Sequence, residues 1–253
     1  MTSIQNNNIV KVDSKFQHPF TCLVSGQTQS GKSTFVSKLL LNQDLYIDKK
    51  FEYIFIFLGT TEKENKTLVQ IKERFPKVVK IFNLKDIFPL PQNIKKYGDE
   101  FIKELVENQN GKVGCVIFDD LMKELSDNDI LIDLFTKYSS HRNVSVINIT
   151  QNVFFRGKNA SYNITLYRNS HILVLFSSFL DNTTLRTISS RISPSESKIE
   201  RQSFQKMLQD IQKEHRYIVI RGDFNTPEAI RISSSYFSYL DDDVLFLSFK
   251  IKQ

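Results

Sequence analysis

Gly26-Gln27-Thr28-Gln29-Ser30-Gly31-Lys32-Ser33-Thr34 decides how this chain is read. The apolar run Phe20-Thr21-Cys22-Leu23-Val24 precedes it, and an amphipathic stretch carrying Phe35, Val36, Leu39, Leu40 and Leu41 follows. Strand, then G-x-x-x-x-G-K-[ST], then helix is the context in which a loop cradles phosphate. The glycines let the backbone curl so that successive N–H groups point inward. The nest they form lies at a helix N-terminus, where negative charge is favoured. In that geometry Lys32 reaches the β- and γ-phosphates of a nucleoside triphosphate, and the Ser33 hydroxyl ligates Mg2+. All nine residues, Gly26 through Thr34, are therefore expected around the nucleotide. The bland alternative is a glycine-rich turn before an ordinary helix.

Working outward, the next diagnostic stretch is Val113-Gly114-Cys115-Val116-Ile117-Phe118-Asp119-Asp120. An apolar strand ending in acids is the companion that a phosphate loop needs. Asp119 is expected in the Mg2+ shell and Asp120 beside the attacking water. Residues 144–149 form a further apolar strand that ends in Thr150-Gln151-Asn152. At the C-terminal edge of a parallel sheet Gln151 is placed to sense the γ-phosphate, and a satisfied strand end fits the sequence equally well.

Strands are also expected at 51–58, 78–82 and 171–176, the first and last near-continuously apolar, as strands covered on both faces are. Helices are expected at 61–75, 99–106, 127–138, 183–192 and 194–215. The last opens on Ser193-Pro194-Ser195-Glu196, a capping-box pattern with proline at the first helical position. Residues 84–96, with Pro89 and Pro91, read as irregular, and 153–168 as a mixed loop carrying Arg156, Lys158 and Arg168. Segments 216–220 and 229–233 read as a closing antiparallel pair. Residues 244–249 are apolar enough for an edge strand or for docking on a neighbouring subunit. Asp241-Asp242-Asp243 reads as a solvated turn, because no other ligand spacing supports a metal there. Strands alternating with helices over most of the length imply an α/β fold. Its central sheet is mostly parallel, with helices on both faces and the antiparallel pair at its C-terminal side.

The chain has 253 residues, 40% hydrophobic and 25% charged, with a formal charge of +6 and a sequence pI near 9.1. That surplus favours an anionic partner without being a nucleic-acid signature in itself. Residues 1–13 are polar and rich in Asn, and read as a flexible lead; residues 14–253 read as one domain. No apolar run approaches the roughly eighteen residues of a membrane span, and the lead lacks the apolar region of a signal peptide. A location inside the cell is expected. Cys22 and Cys115 lie in apolar runs and read as buried thiols. His18, His141, His171 and His215 form no ligand spacing with them, which argues against zinc.

Taken in order, these residues resemble the DNA-packaging ATPases of the FtsK–HerA superfamily, in the form carried by virophages and Polinton-type elements and, more distantly, by poxviruses. The resemblance runs from about Phe20 to Tyr236. It is carried by Phe118-Asp119-Asp120-Leu121-Met122, Ser140-His141-Arg142-Asn143-Val144-Ser145-Val146 and Ile149-Thr150-Gln151-Asn152. Gly157-Lys158, Asn169-Ser170-His171, Leu173-Val174-Leu175-Phe176 and Phe224-Asn225-Thr226-Pro227-Glu228 continue it. The resemblance implies a RecA-like P-loop NTPase with ATP and Mg2+. Lys32 and Ser33 would act on phosphate and metal, Asp119 on the metal, Asp120 at the water and Gln151 as polar sensor. It further implies a homo-oligomeric ring around double-stranded DNA, with ATP at subunit interfaces. A preformed viral capsid would receive the DNA, with a capsid vertex protein as docking partner. The host cytoplasm (a viral factory), the nucleus and the virion are the places such a motor works.

Many Polinton-type relatives carry an Arg-Thr-Ile-Ser-Leu-Asn run before the HILVLF-like strand. Here it reads Ile164-Thr165-Leu166-Tyr167-Arg168-Asn169, with the arginine four positions later. Arg168 is the candidate for an arginine acting on a neighbour's nucleotide, with Arg156 and Arg142 as competitors.

Without the resemblance, a nucleic-acid motor, a small-molecule kinase and a nucleotide-gated interaction protein all fit. A kinase needs an arginine-rich substrate pocket, and no further arginine cluster builds one. A helicase needs an accessory domain for strand separation, and a terminase-type enzyme a nuclease domain with clustered carboxylates. Neither is expected here.

Overall fold

β1 (Thr21–Ser25) is TCLVS, and all five residues are buried. It lies inside a nine-stranded sheet of the computed structural model, which describes residues 14–59, 66–121, 125, 129–153, 160–176, 182–192, 202, 205–206, 209–210, 217–223, 225–227, 230–234 and 247–249. The other strands are β2 (Tyr53–Leu58), β3 (Val79–Asn83), β4 (Gly114–Asp119), β5 (Val144–Thr150), β6 (Ile172–Phe176), β7 (Tyr217–Arg221), β8 (Ile232–Ser234) and β9 (Leu247–Phe249). Their order across the sheet is β3-β2-β4-β5-β1-β6-β7-β8-β9. The pairings from β3 through β6 are parallel, and β7, β8 and β9 add antiparallel. The expected α/β sheet is present, and the closing antiparallel pair is extended by β9 at the edge.

Continuous apolar runs conceal a period of two, because both faces are covered. In β2, Ile54, Ile56 and Leu58 face one core, while Tyr53, Phe55 and Phe57 face the other. The first core is closed by α1 (Lys32–Leu41), through Phe35, Val36, Leu39 and Leu40. Cys22 and Cys115 are free thiols buried in that core, and burial pushes both pKa values up, so neither is a reactive thiolate.

The second core is aromatic where β2, β3 and β4 adjoin. Phe57 stacks between Phe82 and Phe118, with ring centroids 5.1 and 5.3 Å away. Beyond α1 come α2 (Gln43–Tyr46), α3 (Lys66–Arg74), α4 (Leu84–Ile87) and α5 (Pro91–Glu107), the last covering the second core with Ile94, Ile102 and Val106. Next follow α6 (Ile130–Asp133), a wider π-type turn at Leu134–Tyr138, α7 (Ser139–His141), α8 (Ala160–Arg168) and α9 (Asn182–Ile192).

Two expectations are corrected. Residues 84–96 are helical apart from a short break at 88–90. Asn83 caps α4 by accepting a hydrogen bond from the Lys85 N–H at 3.0 Å, and Pro91 opens α5. Proline reads as a breaker, but at the first helical position its missing N–H has no partner to lose. Residues 160–168 are helical rather than loop; burial of Leu166 in the second core outweighs the weak propensities of Ser161, Asn163 and Thr165. The expected lead at 1–13, Arg156 and Lys158, the capping box at 193–196 and the acids at 241–243 lie outside the described residues.

Candidate nucleotide site

Three adjacent strands deliver the site. β5 lies between β1 and β4, so the loop after β1, Gln151 after β5 and the acids at the end of β4 emerge side by side at one edge. Backbone bonds tie these tips together. Gly26 N–H donates to Thr150 O at 3.3 Å, Asp120 N–H to Ile149 O at 3.2 Å, and Gly59 N–H to Asp119 O at 3.0 Å.

The loop itself has Gln29 at φ 64° and Gly31 at φ 103°, and Ser30 N–H closes it onto Gln27 O at 3.2 Å. Gly26 is required by packing as well as by any ligand. A Cβ there would sit 2.5 Å from Cβ of Phe176, at the tip of β6, and 2.8 Å from Ser30 Oγ. Phe176 also lies under Gly31, 3.3 Å from where its Cβ would be. Nothing local in the sequence singles out Phe176 as the floor of the loop, because its place beside β1 is set by the order of the strands.

α1 begins at Lys32 with no side-chain cap and no acid in its first turn, which leaves the helix N-terminus to an anion. Ser30 Oγ is buried in the loop with no hydrogen-bond partner among the described residues. Thr28 and Gln29 are exposed, as is Thr34, while Ser33 is half-buried on the first turn. Lys32 Nζ donates to Gly26 O and Gln27 O, each at 2.7 Å. Burial pushes the Lys32 pKa down, and the nearby carboxylates of Asp119 and then Asp120 oppose that shift.

Asp119 is buried, at 7% exposure, whereas Asp120 is exposed and holds a left-handed backbone at φ 54°. Gln151 Nε2 donates to both Asp120 carboxylate oxygens, at 3.3 and 3.2 Å. The arrangement has an ammonium, a buried acid, an exposed acid and an amide around an uncapped helix start. Such a set suits a triphosphate with a hard cation. The Ser33 hydroxyl and the Asp119 carboxylate are oxygen ligands of the kind Mg2+ takes, and phosphate oxygens and water complete such a shell. No group of three or more His, Cys, Asp or Glu that could hold a metal occurs among the described residues.

A family model described as "Poxvirus A32 protein" matches residues 8–243. The chain belongs to the poxvirus A32 protein family. No curated protein sequence matches it. Among solved structures, the genome packaging NTPase B204 from Sulfolobus turreted icosahedral virus 2, in complex with ATP-gammaS, is 14% identical. That match has a TM-score of 0.43 and covers 80% of this chain and 92% of that one. EssC (ATPases 2 and 3) from Geobacillus thermodenitrificans is 16% identical with a TM-score of 0.45, over 65% of this chain. The cytoplasmic domain of the Type VII secretion ATPase EccC from Thermomonospora curvata is 16% identical with a TM-score of 0.45, over 63%. The A32-family chain spans 33% of the length of that EssC chain and 21% of that EccC chain.

In this A32-family chain Arg168 does not join the other candidates. It ends α8 four residues before β6 begins, which places it at the edge of the sheet opposite the loop. Arg142, the described competitor, is also at that opposite edge, just before β5, and donates to Glu107 Oε1 at 3.0 Å.

A cavity of about 500 Å3 opens there among Phe16, His18, Phe20, His171, Arg221 and Thr226. Its polar groups largely serve each other. Asn143 O can only accept, so His18 Nε2 carries the ring proton and donates towards Asn143 O and Oδ1, 3.1 and 3.0 Å away. Nδ1 then accepts from the Ser145 hydroxyl at 2.7 Å, and Ser145 Oγ accepts in turn from Phe20 N–H at 3.1 Å. Arg221 is buried; it donates to Ser14 O and Ile230 O and lies over the Phe16 ring at 5.4 Å. No helix among the described residues is long and apolar enough to cross a membrane.

Proposed function

We propose that this A32-family chain is a Mg2+-dependent ATPase motor that drives double-stranded DNA into a preformed viral capsid, without nuclease activity. The observation that carries the reading is the convergence of Lys32, Asp119, Asp120 and Gln151 at three neighbouring strand tips beside an uncapped helix start. Membership of the A32 family supports the packaging part.

In this reading the N–H groups of the loop hold the triphosphate, and Lys32 leaves the Gly26 and Gln27 carbonyls for the β- and γ-phosphate oxygens. Mg2+, held by Ser33 and Asp119, supplies charge neutralisation on those oxygens when bound. Asp120 accepts a hydrogen bond from water and aims its lone pair at the γ-phosphorus. The new P–O bond forms as the bond to the ADP oxygen breaks, and the water proton passes by way of Asp120 to solvent. Gln151, bonded to Asp120, links that carboxylate to the state of the γ-phosphate.

Residues 14–253 work as one ATPase domain in a homo-oligomeric ring. Arg168, at the far edge of its own sheet, serves only a neighbour's nucleotide. Arg156 and Lys158 contact duplex phosphates, a capsid vertex protein docks the ring, and the motor works in the host cytoplasm or nucleus or in the virion.

ATP turnover measured with and without double-stranded DNA tests this reading. Stimulation by duplexes of unrelated sequence is expected, with binding that weakens steeply as salt rises, log K being linear in log[salt]. Turnover indifferent to DNA, or sequence-selective binding that persists at high salt, contradicts the motor.

A further inference from the structure

The acidic tip of β4 is clamped from a side that the reaction does not need for contact with ATP. Asp120 holds φ 54°, a left-handed conformation that is unfavourable for a non-glycine residue. Neighbouring groups must hold it there. On the β5 side, Ile149 O accepts from the Asp120 N–H and Gln151 holds the carboxylate. On the β2 side the contact is Gly59. Its N–H binds Asp119 O, and its Cα lies so close that a Cβ would stand 2.4 Å from Asp120 O and 3.3 Å from Asp119 O. Gly59 is held in turn by Lys85, whose Nζ donates to Gly59 O at 2.9 Å. Lys85 is the second residue of α4 and emerges directly after β3, the strand next to β2, with its own N–H fixed to the Asn83 cap.

We infer that Lys85 is a positioning residue for ATP hydrolysis. Acting through the Gly59 peptide, it keeps the Asp119–Asp120 backbone seated so that the Asp120 carboxylate faces the attacking water. The inference rests on the ATPase reading above. A lysine suits the task because its long stem crosses from one strand exit to the next and ends in a compact charged donor, which bonds a carbonyl more strongly than a neutral donor does. A carboxylate misplaced by even about 1 Å loses much of its catalytic effect. Substitutions at Lys85 therefore act mainly on the rate of the chemical step, because the phosphate loop that holds the nucleotide is built from β1, α1 and Phe176.

The test compares Lys85→Met, Lys85→Arg and wild type in the intact chain. It reads ATP affinity with a fluorescent nucleotide, and kcat from phosphate release. Lys85→Met is expected to lower kcat about tenfold with nucleotide affinity within twofold of wild type, and Lys85→Arg to recover most of the rate. Gly59→Ala is expected to lower kcat at least as much, and adding Lys85→Met to it to bring little further loss, because both act on one peptide. If Gly59→Ala fails to fold, the Met and Arg pair decides alone, since the Lys85 side chain is exposed. Wild-type kcat in Lys85→Met, or equal losses of rate and affinity, overturns the inference while leaving the ATPase reading in place. A wild-type chain that does not hydrolyse ATP overturns both.

Discussion

The two edges of the parallel sheet are built from the same strands and treat polar groups in opposite ways. At the edge where β4 and β5 end, Lys32 is held only by carbonyls of its own loop, and Asp120 and Gln151 are exposed. The start of α1 carries no cap. At the edge where they begin, His18 has both ring nitrogens engaged, Ser145 both donates and accepts, and Thr21 and His171 bond each other twice, at 3.2 and 3.0 Å. One edge keeps its polar groups for a ligand, and the other spends them holding the N-terminal approach to β1 against β5, β6 and β7. The difference separates activity from stability within one sheet, and substitutions at the two edges should separate them in the same way.

Lys32→Ala should have the largest effect. ATP turnover falls by about 10³-fold or more, because the proposed mechanism needs that charge on the phosphates in the transition state. Thermal unfolding of the same variant stays near wild type, since Lys32 fills no core. A stable Lys32→Ala protein that still turns over would erase the contrast between the edges.

His18→Ala is the mirror experiment. It leaves the Ser145 hydroxyl and Asn143 without their partner and opens a gap beside Phe51, whose ring lies 5.7 Å from the imidazole. A loss of about 3 kcal/mol in urea unfolding is expected, with kcat of the folded fraction unchanged.

The smallest effect is a pH dependence. Burial holds the pKa of His18 and of His171 below the ordinary 6.5. At His18 the hydrogen bonds to Asn143 and, less, Asp48 only partly oppose it, and Lys49 adds to it; at His171 Asp223 only partly opposes it. Below pH ~6.5 the unfolded chain takes up protons that the folded chain refuses. Stability is then full above that pH and declines as pH falls through it, by up to about 1.4 kcal/mol per pH unit for each proton of difference. Urea midpoints at pH 7.5 and 5.5 check the sign, and His18→Ala should flatten the slope.

Much of the nucleotide edge was legible because its signals are local. Gly26, Gly31 and Lys32 sit at fixed spacing, and Asp119-Asp120 follow a run whose apolar character dictates a covered strand. The placement of β5 between β1 and β4 was not legible, because strand order is decided by packing between distant segments. Gly59, Lys85 and Phe176 were missed for the same reason. Each acts through a contact with a residue far away in sequence, and nothing near Gly59 in the chain says that the Asp120 carbonyl will lie against it. The helix at 160–168 was hidden by its own composition, in which poor helix formers outnumber the buried Leu166 that holds it. Arg168 is the candidate for acting on a neighbour's nucleotide. As the end of the helix at 160–168 rather than part of a loop, it lies at the edge of the sheet away from its own phosphate loop.

The central claim is that the tips of β1, β5 and β4 form one site for ATP hydrolysis, and Asp120→Asn tests it most directly. The substitution keeps the size of the side chain and its place beside Gln151 but removes the charge to which the proposed mechanism assigns the water. Nucleotide binding and phosphate release should be measured on the same preparation. The account predicts Mg·ATP affinity within a few-fold of wild type and hydrolysis slower by about 10²-fold or more. An Asp120→Asn protein that hydrolyses ATP at the wild-type rate would contradict it.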